Sequence, residues 1–154
     1  MNDKDTFSGS FRSLFFAVGN PKDFSPSAWE RFFVPFDRKK WNEDTAGGLV
    51  FELANGEQFS LIIEYHPELG LTLAYETDSV EDDDFPSDSW ISVNDPTAMS
   101  DFVILENGSQ HARGSFLDAS RAWEVVEAFL DDPTKIPVQI NWLNADDLDW
   151  PEPP

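Results

Sequence analysis

The chain contains no cysteine, so disulfide bonds and thiolate chemistry are excluded, and a reducing compartment suits it. Long apolar runs are missing as well, since no window approaches the ~18 consecutive apolar residues that a membrane helix needs. Residues Met1 to Thr6 are polar and acidic, unlike the basic start and apolar run of a secretory leader. We therefore expect a cytoplasmic protein without a membrane partner.

Groups for catalysis are scarce. The chain has 2 histidines, and neither has a visible companion for nucleophilic or acid–base chemistry. His66 lies in a predicted turn and His111 in a predicted hairpin, so we expect both to be exposed to solvent. A glycine-rich phosphate loop, a paired-histidine zinc signature and a cysteine cluster are also absent. The sequence predicts a protein that is not an enzyme and that needs no cofactor.

Basic side chains are few, because 10 Lys and Arg stand against 30 Asp and Glu, which gives a net charge of −20. The excess is lopsided: residues 1–77 carry 7 basic and 12 acidic side chains, and residues 78–154 carry 3 and 18. Free nucleic acid and anionic membranes would be repelled. General solubility or adaptation to high salt would predict a diffuse excess, whereas a clustered excess favours attraction of a basic protein partner.

The sequence has enough apolar content for one core, since 40% of its 154 residues are hydrophobic, including 14 Phe and 6 Trp. Its patterns predict an α+β fold, in which an antiparallel sheet of about six or seven strands packs with one short N-terminal helix and one longer C-terminal helix. We expect residues 1–144 to form a single domain and residues 145–154 to form an acidic, proline-rich tail.

Both helices have clear boundaries in the sequence. The first begins at Pro26 after the capping residue Ser25 and ends near Pro35. The second spans residues 118–130 and is stopped by Pro133. The apolar residues that share one face are Trp29, Phe32 and Phe33 in the first helix, and Ala122, Val125, Val126 and Phe129 in the second.

Alternating or apolar runs bounded by turn residues predict the strands. Asn55-Gly56 and Asn107-Gly108 are dipeptides that readily form tight hairpin turns, and residues 66–70 supply a further turn. An antiparallel meander is expected over the second, third and fourth strands. The predicted strand runs are 7–18, 48–53, 58–65, 71–76, 90–93, the hairpin 101–106 with 110–114, and 137–142.

Residues 76–88 are acidic, polar and interrupted by proline, which predicts an exposed loop. At an interface, acidic side chains steer a basic partner and a neighbouring aromatic ring enters a pocket. Phe85 and Trp90 could instead be core residues at a strand entrance, and the tail could dock on the partner or fray. The predicted partner contacts are Asp78, Glu81, Asp82, Asp83, Asp84, Asp88, Asp146, Asp147 and Asp149, with Phe85 and Trp90 as anchors.

The C-terminal helix, proline turn and strand carry a family resemblance. Residues 119–130, then Pro133, then residues 137–142 ending in Trp142, preceded by Glu106-Asn107-Gly108, resemble the immunity protein family called Imm1. The resemblance implies an α+β fold and a role in bacterial competition. In that role the chain would form a 1:1 complex with a cognate basic toxin, such as a deaminase or nuclease, and occlude its substrate groove.

Two other functions remain open. A DNA mimic that inhibits a host DNA-binding protein would use the same charge logic on a different target. An enzyme that uses carboxylates, with or without a metal ion, would lose turnover when the acidic loop is replaced. A Ca²⁺ site at residues 81–84 is disfavoured, because the spaced carboxylates and central glycine of an EF-hand loop are missing.

Overall fold

The computed structural model of the chain describes residues 9–14, 23–41, 46–79, 87–105 and 108–151. Within these residues, a 7-stranded antiparallel sheet packs against two helices, and a 2-stranded hairpin lies apart. The predicted α+β class is confirmed. The strands are β1 (Gly9–Leu14), β2 (Ala46–Leu53), β3 (Glu57–His66), β4 (Gly70–Ser79), β5 (Asp88–Val93), β6 (Phe102–Ile104), β7 (Gln110–Ala112), β8 (Phe116–Leu117) and β9 (Asn141–Asn144), and the helices are α1 (Pro26–Trp29) and α2 (Ala119–Asp131).

Strands β2, β3 and β4 form the antiparallel meander that the sequence predicted. The order across the sheet is β1-β2-β3-β4-β5-β9, and β8 pairs with the start of β4. Gly56 and Gly70 close the two turns of the meander with φ angles of 91° and 107°. Glycine suits both positions because it adopts positive φ at little cost. At Gly70 a Cβ would also lie 2.2 Å from the carbonyl oxygen of Leu117.

The side chains of the sheet alternate between two faces. One face packs against both helices and is called the helix face. The opposite face is called the groove face. In β3 the helix face carries Phe59, Leu61 and Ile63, and the groove face carries Gln58, Ser60, Ile62 and Glu64. The helix-face residues are buried and the groove-face residues are only partly buried, so the main core lies on the helix side.

Helix α2 places its apolar side on the helix face. Asp118 caps its N-terminus, where the Oδ1 atom accepts a 2.8 Å hydrogen bond from the amide of Arg121. The helix ends at Asp131, before Pro133 as predicted. The four residues that the spacing assigned to one face are all buried, namely Ala122, Val125, Val126 and Phe129. Burial of each larger apolar side chain stabilises the fold by about 1.5–3 kcal/mol.

Helix α1 is short, and a 3-10 turn at Glu30–Phe32 continues it. The predicted apolar residues of this segment are buried in the same core, namely Trp29, Phe32 and Phe33. The ring centroids of Phe33 and Trp123 are 5.6 Å apart, and those of Phe11 and Phe129 are 6.3 Å apart. Aromatic residues from β1 and from the α1 segment therefore meet α2 directly.

A second, smaller core lies on the groove face. The hairpin of β6 and β7 covers one end of this face, and Gly108 closes its turn with a φ of 87°. The predicted hairpin is thus confirmed, although its strands are shorter than expected. The buried residues beneath it are Ile91, Met99, Ala112 and Leu148. The rest of the groove face is not covered by this cluster.

Three buried hydroxyl groups join β4, β5 and the 3-10 turn at Arg113–Ser115. The Oγ1 atom of Thr72 lies 2.7 Å from the Oγ atom of Ser115. Ser92 Oγ accepts from the amide of Leu73 at 3.0 Å and donates to the carbonyl oxygen of Ser115 at 2.7 Å. An unpaired buried hydroxyl would cost stability, so these bonds specify how the strands and the turn fit together.

Strand β9 begins later in the sequence than predicted. The predicted strand covered residues 137–142, but β9 spans Asn141–Asn144 and pairs with β5. Pro137 has no N–H group for a ladder, and its carbonyl oxygen accepts the indole N–H of Trp142 at 2.7 Å. Val138 is 87% exposed. Residues 137–140 are therefore a loop, and the predicted strand begins too early.

The segment after β9 makes tertiary contacts as far as Trp150. A 3-10 turn at Ala145–Asp147 follows the strand, and Leu148 is buried in the second core. The indole N–H of Trp150 donates to the carbonyl oxygen of Ala145 at 2.9 Å, and its ring lies 5.4 Å from that of Phe102. Of the two alternatives that the sequence left open for the tail, the packing of Leu148 and Trp150 disfavours fraying, because their contacts come from distant parts of the chain.

The acidic loop is shorter than predicted. Strand β4 continues to Ser79 and β5 begins at Asp88, which pairs with Thr77. Asp78 and Asp88 therefore lie in strands and not in the loop. The strand extends into this polar stretch because its groove-face side chains meet an open depression, so no charge is buried without a partner. The predicted contacts Glu81, Asp82, Asp83, Asp84 and Phe85 lie outside the described residues.

Candidate functional site

An acidic depression of about 350 Å³ lies on the groove face, near the end of β4 and the start of β5. Asp78, Asp88 and Asp146 line it together with Glu76. The first three are predicted contact residues that are distant in sequence. The pairing of β4 with β5 brings Asp78 and Asp88 together, and the pairing of β9 with β5 returns Asp146 to the same place.

Local structure sets the position of each carboxylate. Glu76 and Asp78 occupy alternate positions of β4, so both side chains belong to the groove face. Asp146 lies in the 3-10 turn after β9, where its amide donates to the Oδ1 atom of the cap residue Asn144 at 2.9 Å. Asp88 is the first residue of β5 and lines the edge of the depression, although strand alternation puts its side chain on the same side of β5 as Trp90. Ordered strands and a capped turn therefore hold these acids.

The depression has a strongly negative lining. The described residues that line it include four acids and no Lys or Arg. A concave surface lined by one sign of charge focuses the field and raises the local concentration of oppositely charged groups. Salt screens such a field over ~8 Å at physiological ionic strength, so it acts on groups that come close. The depression is suited to bind cationic side chains.

A smaller pocket of about 260 Å³ adjoins the acidic depression. Glu76, Ser89 and Ala145 line both cavities, so the two are continuous. The walls of the smaller pocket are mainly apolar, and they include Ile62, Ala74, Ile91 and Trp150. We call the two cavities together the groove. It offers carboxylates for a cationic head and apolar walls for the stem of a Lys or Arg side chain.

Both histidines are partly buried, so the expectation that they are exposed is wrong. His111 Nε2 makes a close contact with Oε2 of Glu64, and the two side chains are only 17% and 16% exposed. Ser109 Oγ lies 3.0 Å from the same nitrogen. His66 sits in its turn, where Nδ1 accepts the amide of Glu68 at 3.1 Å. The sequence could not show that β3 and the β6–β7 hairpin meet at His111.

The cluster of Glu64, Ser109 and His111 does not have the geometry of a nucleophilic relay. Such a relay needs the acid on one ring nitrogen and the hydroxyl on the other. Here the carboxylate and the hydroxyl both meet Nε2. The contacts join the β6–β7 hairpin to β3 beside the groove.

The described acids do not form a metal centre. In residues 9–14, 23–41, 46–79, 87–105 and 108–151, no group of three His, Cys, Asp or Glu side chains could hold a metal ion. Calcium, for example, takes roughly six to eight oxygen ligands around one point.

The remaining described contact residues are set apart from the groove. Trp90 belongs to the helix face of β5, where it packs against the main core and lines an apolar pocket of about 520 Å³. Its partial burial agrees with the structural alternative that the sequence left open. Asp147 and Asp149 are exposed in the segment that follows β9.

Most residues that line the groove were not among the predicted contacts, and those with a charged or aromatic side chain are Glu64, Glu76, His111 and Trp150. A signal for the two glutamates was present in the sequence. In β3 and β4, polar side chains occupy every second position near these residues, which indicates a face that water can reach. No local pattern could indicate His111 or Trp150, because both reach the groove through tertiary contacts.

The fold and the groove define a class: an α+β protein whose sheet has helices on one face and a partly covered acidic groove on the other. No family model matches the chain, and no curated protein and no solved structure matches it. None of the described helices is long and apolar enough to cross a membrane. Its function must therefore be argued from the groove and its charge.

Proposed function

We propose that this chain is a cytoplasmic immunity protein that binds a basic toxin domain and neutralises it without catalysing a reaction. The observation that carries the proposal is the convergence of Glu76, Asp78, Asp88 and Asp146 on one depression whose described lining has no basic residue. Three separate elements supply these acids. A diffuse acidic surface, as in adaptation to high salt, would not require such convergence.

Inhibition follows from competition for the same cationic groups. A toxin that acts on nucleic acid, such as a deaminase or nuclease, binds phosphates with Lys and Arg side chains. Carboxylates in the groove replace those phosphates with charge-assisted hydrogen bonds, and the apolar walls accept the side-chain stems. A 1:1 complex that fills the toxin's substrate groove blocks its activity, and the inhibitor needs no cofactor.

The geometry of the histidine cluster beside the groove favours a binding role over an enzymatic role. The cluster of Glu64, Ser109 and His111 places the carboxylate and the hydroxyl on one imidazole nitrogen, which does not favour a nucleophilic relay. A DNA mimic would share the charge logic. Gene position distinguishes it, because an immunity gene lies beside its toxin gene.

The test is co-expression of the chain with the toxin encoded beside it. The double variant Asp78→Asn with Asp146→Asn removes two groove charges with little change in shape. We expect it to lower the association rate by about tenfold at low salt and to weaken protection. The control is Glu124→Gln with Glu127→Gln, which makes the same charge change on the exposed side of α2. Equal losses in both variants, or a lethal toxin without a stable wild-type complex, would overturn the proposal.

A further inference from the structure

Strand β9 ends the sheet. Among the described residues it pairs with β5 alone, and no other described strand pairs with its outer edge. The strand has 4 residues and spans about 13 Å. A free strand edge presents unpaired N–H and C=O groups that can hydrogen-bond to another extended chain.

On the helix face, this edge borders the apolar pocket of about 520 Å³. Trp90 and Trp142 form part of its wall, and the loop after α2 forms the rest with Ile136 and Val138. Val138 is 87% exposed, so this side of the pocket is open to solvent. The pocket can receive a large apolar side chain.

On the groove face, carboxylates lie near the C-terminal end of β9, on the side of the strand that faces β5. Asp146 follows β9 closely and lines the acidic depression. Asp147 and Asp149 are exposed in the next residues of the chain. Near the end of β9, an apolar pocket on the helix face and carboxylates on the groove face therefore lie on opposite sides of the sheet.

We propose that the outer edge of β9 binds an extended segment of a basic partner protein as an added strand, with apolar and basic residues in alternation. Successive side chains of a strand point to opposite faces. The apolar side chains of such a segment enter the pocket beside Trp142, and the basic side chains face the carboxylates near Asp146. Main-chain hydrogen bonds supply affinity, and the alternating side chains supply specificity.

Charge complementarity favours a basic segment over a second copy of the chain as the occupant of this edge. A second copy of the chain could pair edge to edge, but each copy carries a net charge of −20, so the two would repel. A basic segment gains from the same field. This proposal rests on the proposed function only for the positive charge of the partner. The site, which is the edge of β9, and the extended conformation of the bound segment are new.

The test uses two synthetic peptides of identical composition and charge. One alternates lysine and valine, and the other carries the same residues as a lysine block followed by a valine block. Attraction by charge alone treats the two peptides alike, whereas strand addition requires alternation. We expect the alternating peptide to bind at least about tenfold more tightly, which corresponds to ~1.4 kcal/mol. Backbone amides of Asn141–Asn144 should become protected from hydrogen exchange only with that peptide.

A pair of variants locates the pocket. Val138→Ser removes an exposed apolar wall and is expected to reduce binding of the alternating peptide severalfold. Ile104→Ser makes the matched change at a residue that is 57% exposed in β6, and it should leave binding unchanged. Both residues are exposed, so both variants are expected to fold normally.

Each other outcome overturns the inference. Equal binding of both peptides leaves the proposed function intact and places the contact in the groove alone. No binding of either peptide rejects the added strand and also weakens the proposed function. A dimer of the chain without peptide, with protected β9 amides, makes a second copy the occupant.

Discussion

The hydroxyl group of Tyr75 donates a 2.8 Å hydrogen bond to the carbonyl oxygen of Pro133, and so joins the middle of β4 to the loop after α2. Both groups are buried. In the Tyr75→Phe variant the carbonyl oxygen loses this donor, and we expect the free energy of unfolding to fall by about 1 kcal/mol. Urea titration at neutral pH measures the change. The control is Tyr65→Phe, whose ring packs on Phe36 and is partly buried; an equal fall there would contradict a specific role for Tyr75.

The same residue predicts a dependence on alkaline pH. Burial raises the pKa of Tyr75 above its ordinary value of 10.0, and the negative charge of Asp132 raises it further. The folded protein therefore keeps this phenol protonated at a pH where the unfolded chain ionises it. The resulting stabilisation is complete below about pH 10 and is lost as the pH rises further. Urea titrations from neutral to alkaline pH should show a steeper loss for the wild type than for Tyr75→Phe; parallel curves would contradict this.

Gly114 and Gly108 are required for different reasons: the first by close packing and the second by its backbone conformation. A Cβ at Gly114 would lie 2.1 Å from the carbonyl oxygen of Asp95, whereas a Cβ at Gly108 has nothing within 4 Å but needs a φ of 87°. We expect Gly114→Ala to destabilise the fold by about 2–3 kcal/mol, because backbone must move apart. Gly108→Ala should cost about 1 kcal/mol. Thermal unfolding of both variants checks the order, and a smaller loss at Gly114 would contradict the close approach.

We expect the contact between Glu64 and His111 to stabilise the hairpin that covers the groove face. Glu64→Gln keeps the shape of the side chain and removes its charge from His111 and Ser109. We expect amide exchange in β6 and β7 to become about fivefold faster, since a loss of ~1 kcal/mol corresponds to that factor. The control Glu68→Gln lies in an exposed turn and should leave exchange unchanged. Unchanged exchange in the first variant would show that the hairpin does not depend on this contact.

We expect Trp150 to hold the segment after β9 against the rest of the fold. Its side chain packs on Phe102 and donates to the carbonyl oxygen of Ala145, although it is 41% exposed. Trp150→Ala should cost about 1–2 kcal/mol and increase proteolysis near residues 145–151, because the ring contact and the hydrogen bond are both lost. Limited proteolysis with mass spectrometry measures this. If cleavage is no faster than in the wild type, the segment is held by other contacts, such as those of Leu148.

Salt should act on association with the basic partner more than on dissociation. Under the proposed function, the groove attracts the basic partner through partly exposed charges, whose long-range effect is screened by ions. We expect the association rate to fall steeply as salt is added and the dissociation rate to change little. Stopped-flow mixing at several salt concentrations measures both rates. An association rate that does not depend on salt would mean that the groove does not steer the partner.

The meander and α2 could be predicted from the sequence because their signals are local. Alternation in β3, the Asn55-Gly56 turn and the apolar spacing of α2 each describe one element and its buried face. The position of β9 could not be predicted in this way. Residues 137–142 alternate like a strand, but Pro137 cannot join a ladder and Val138 points to solvent, so the strand starts after them.

The acidic character of the candidate site could be predicted from the sequence, but the arrangement of its residues could not. Acidic residues in the second half of the chain indicated the charge, and Asp78, Asp88 and Asp146 were among the predicted contacts. Their convergence depends on β9 returning beside β5, which is a long-range pairing. Glu64 and His111 meet through a hairpin that docks on the sheet. Neither event leaves a periodic pattern in the sequence.

The two ends of the chain complete one interior. Phe11 and Phe33 are synthesised early, and their ring partners Phe129 and Trp123 are synthesised late. An incomplete chain that stops before α2 therefore leaves these aromatic rings uncovered and prone to aggregate. Only a chain that includes α2 can bury these rings, so termination before Ala119 would expose the main core and with it would disrupt the sheet that carries the groove.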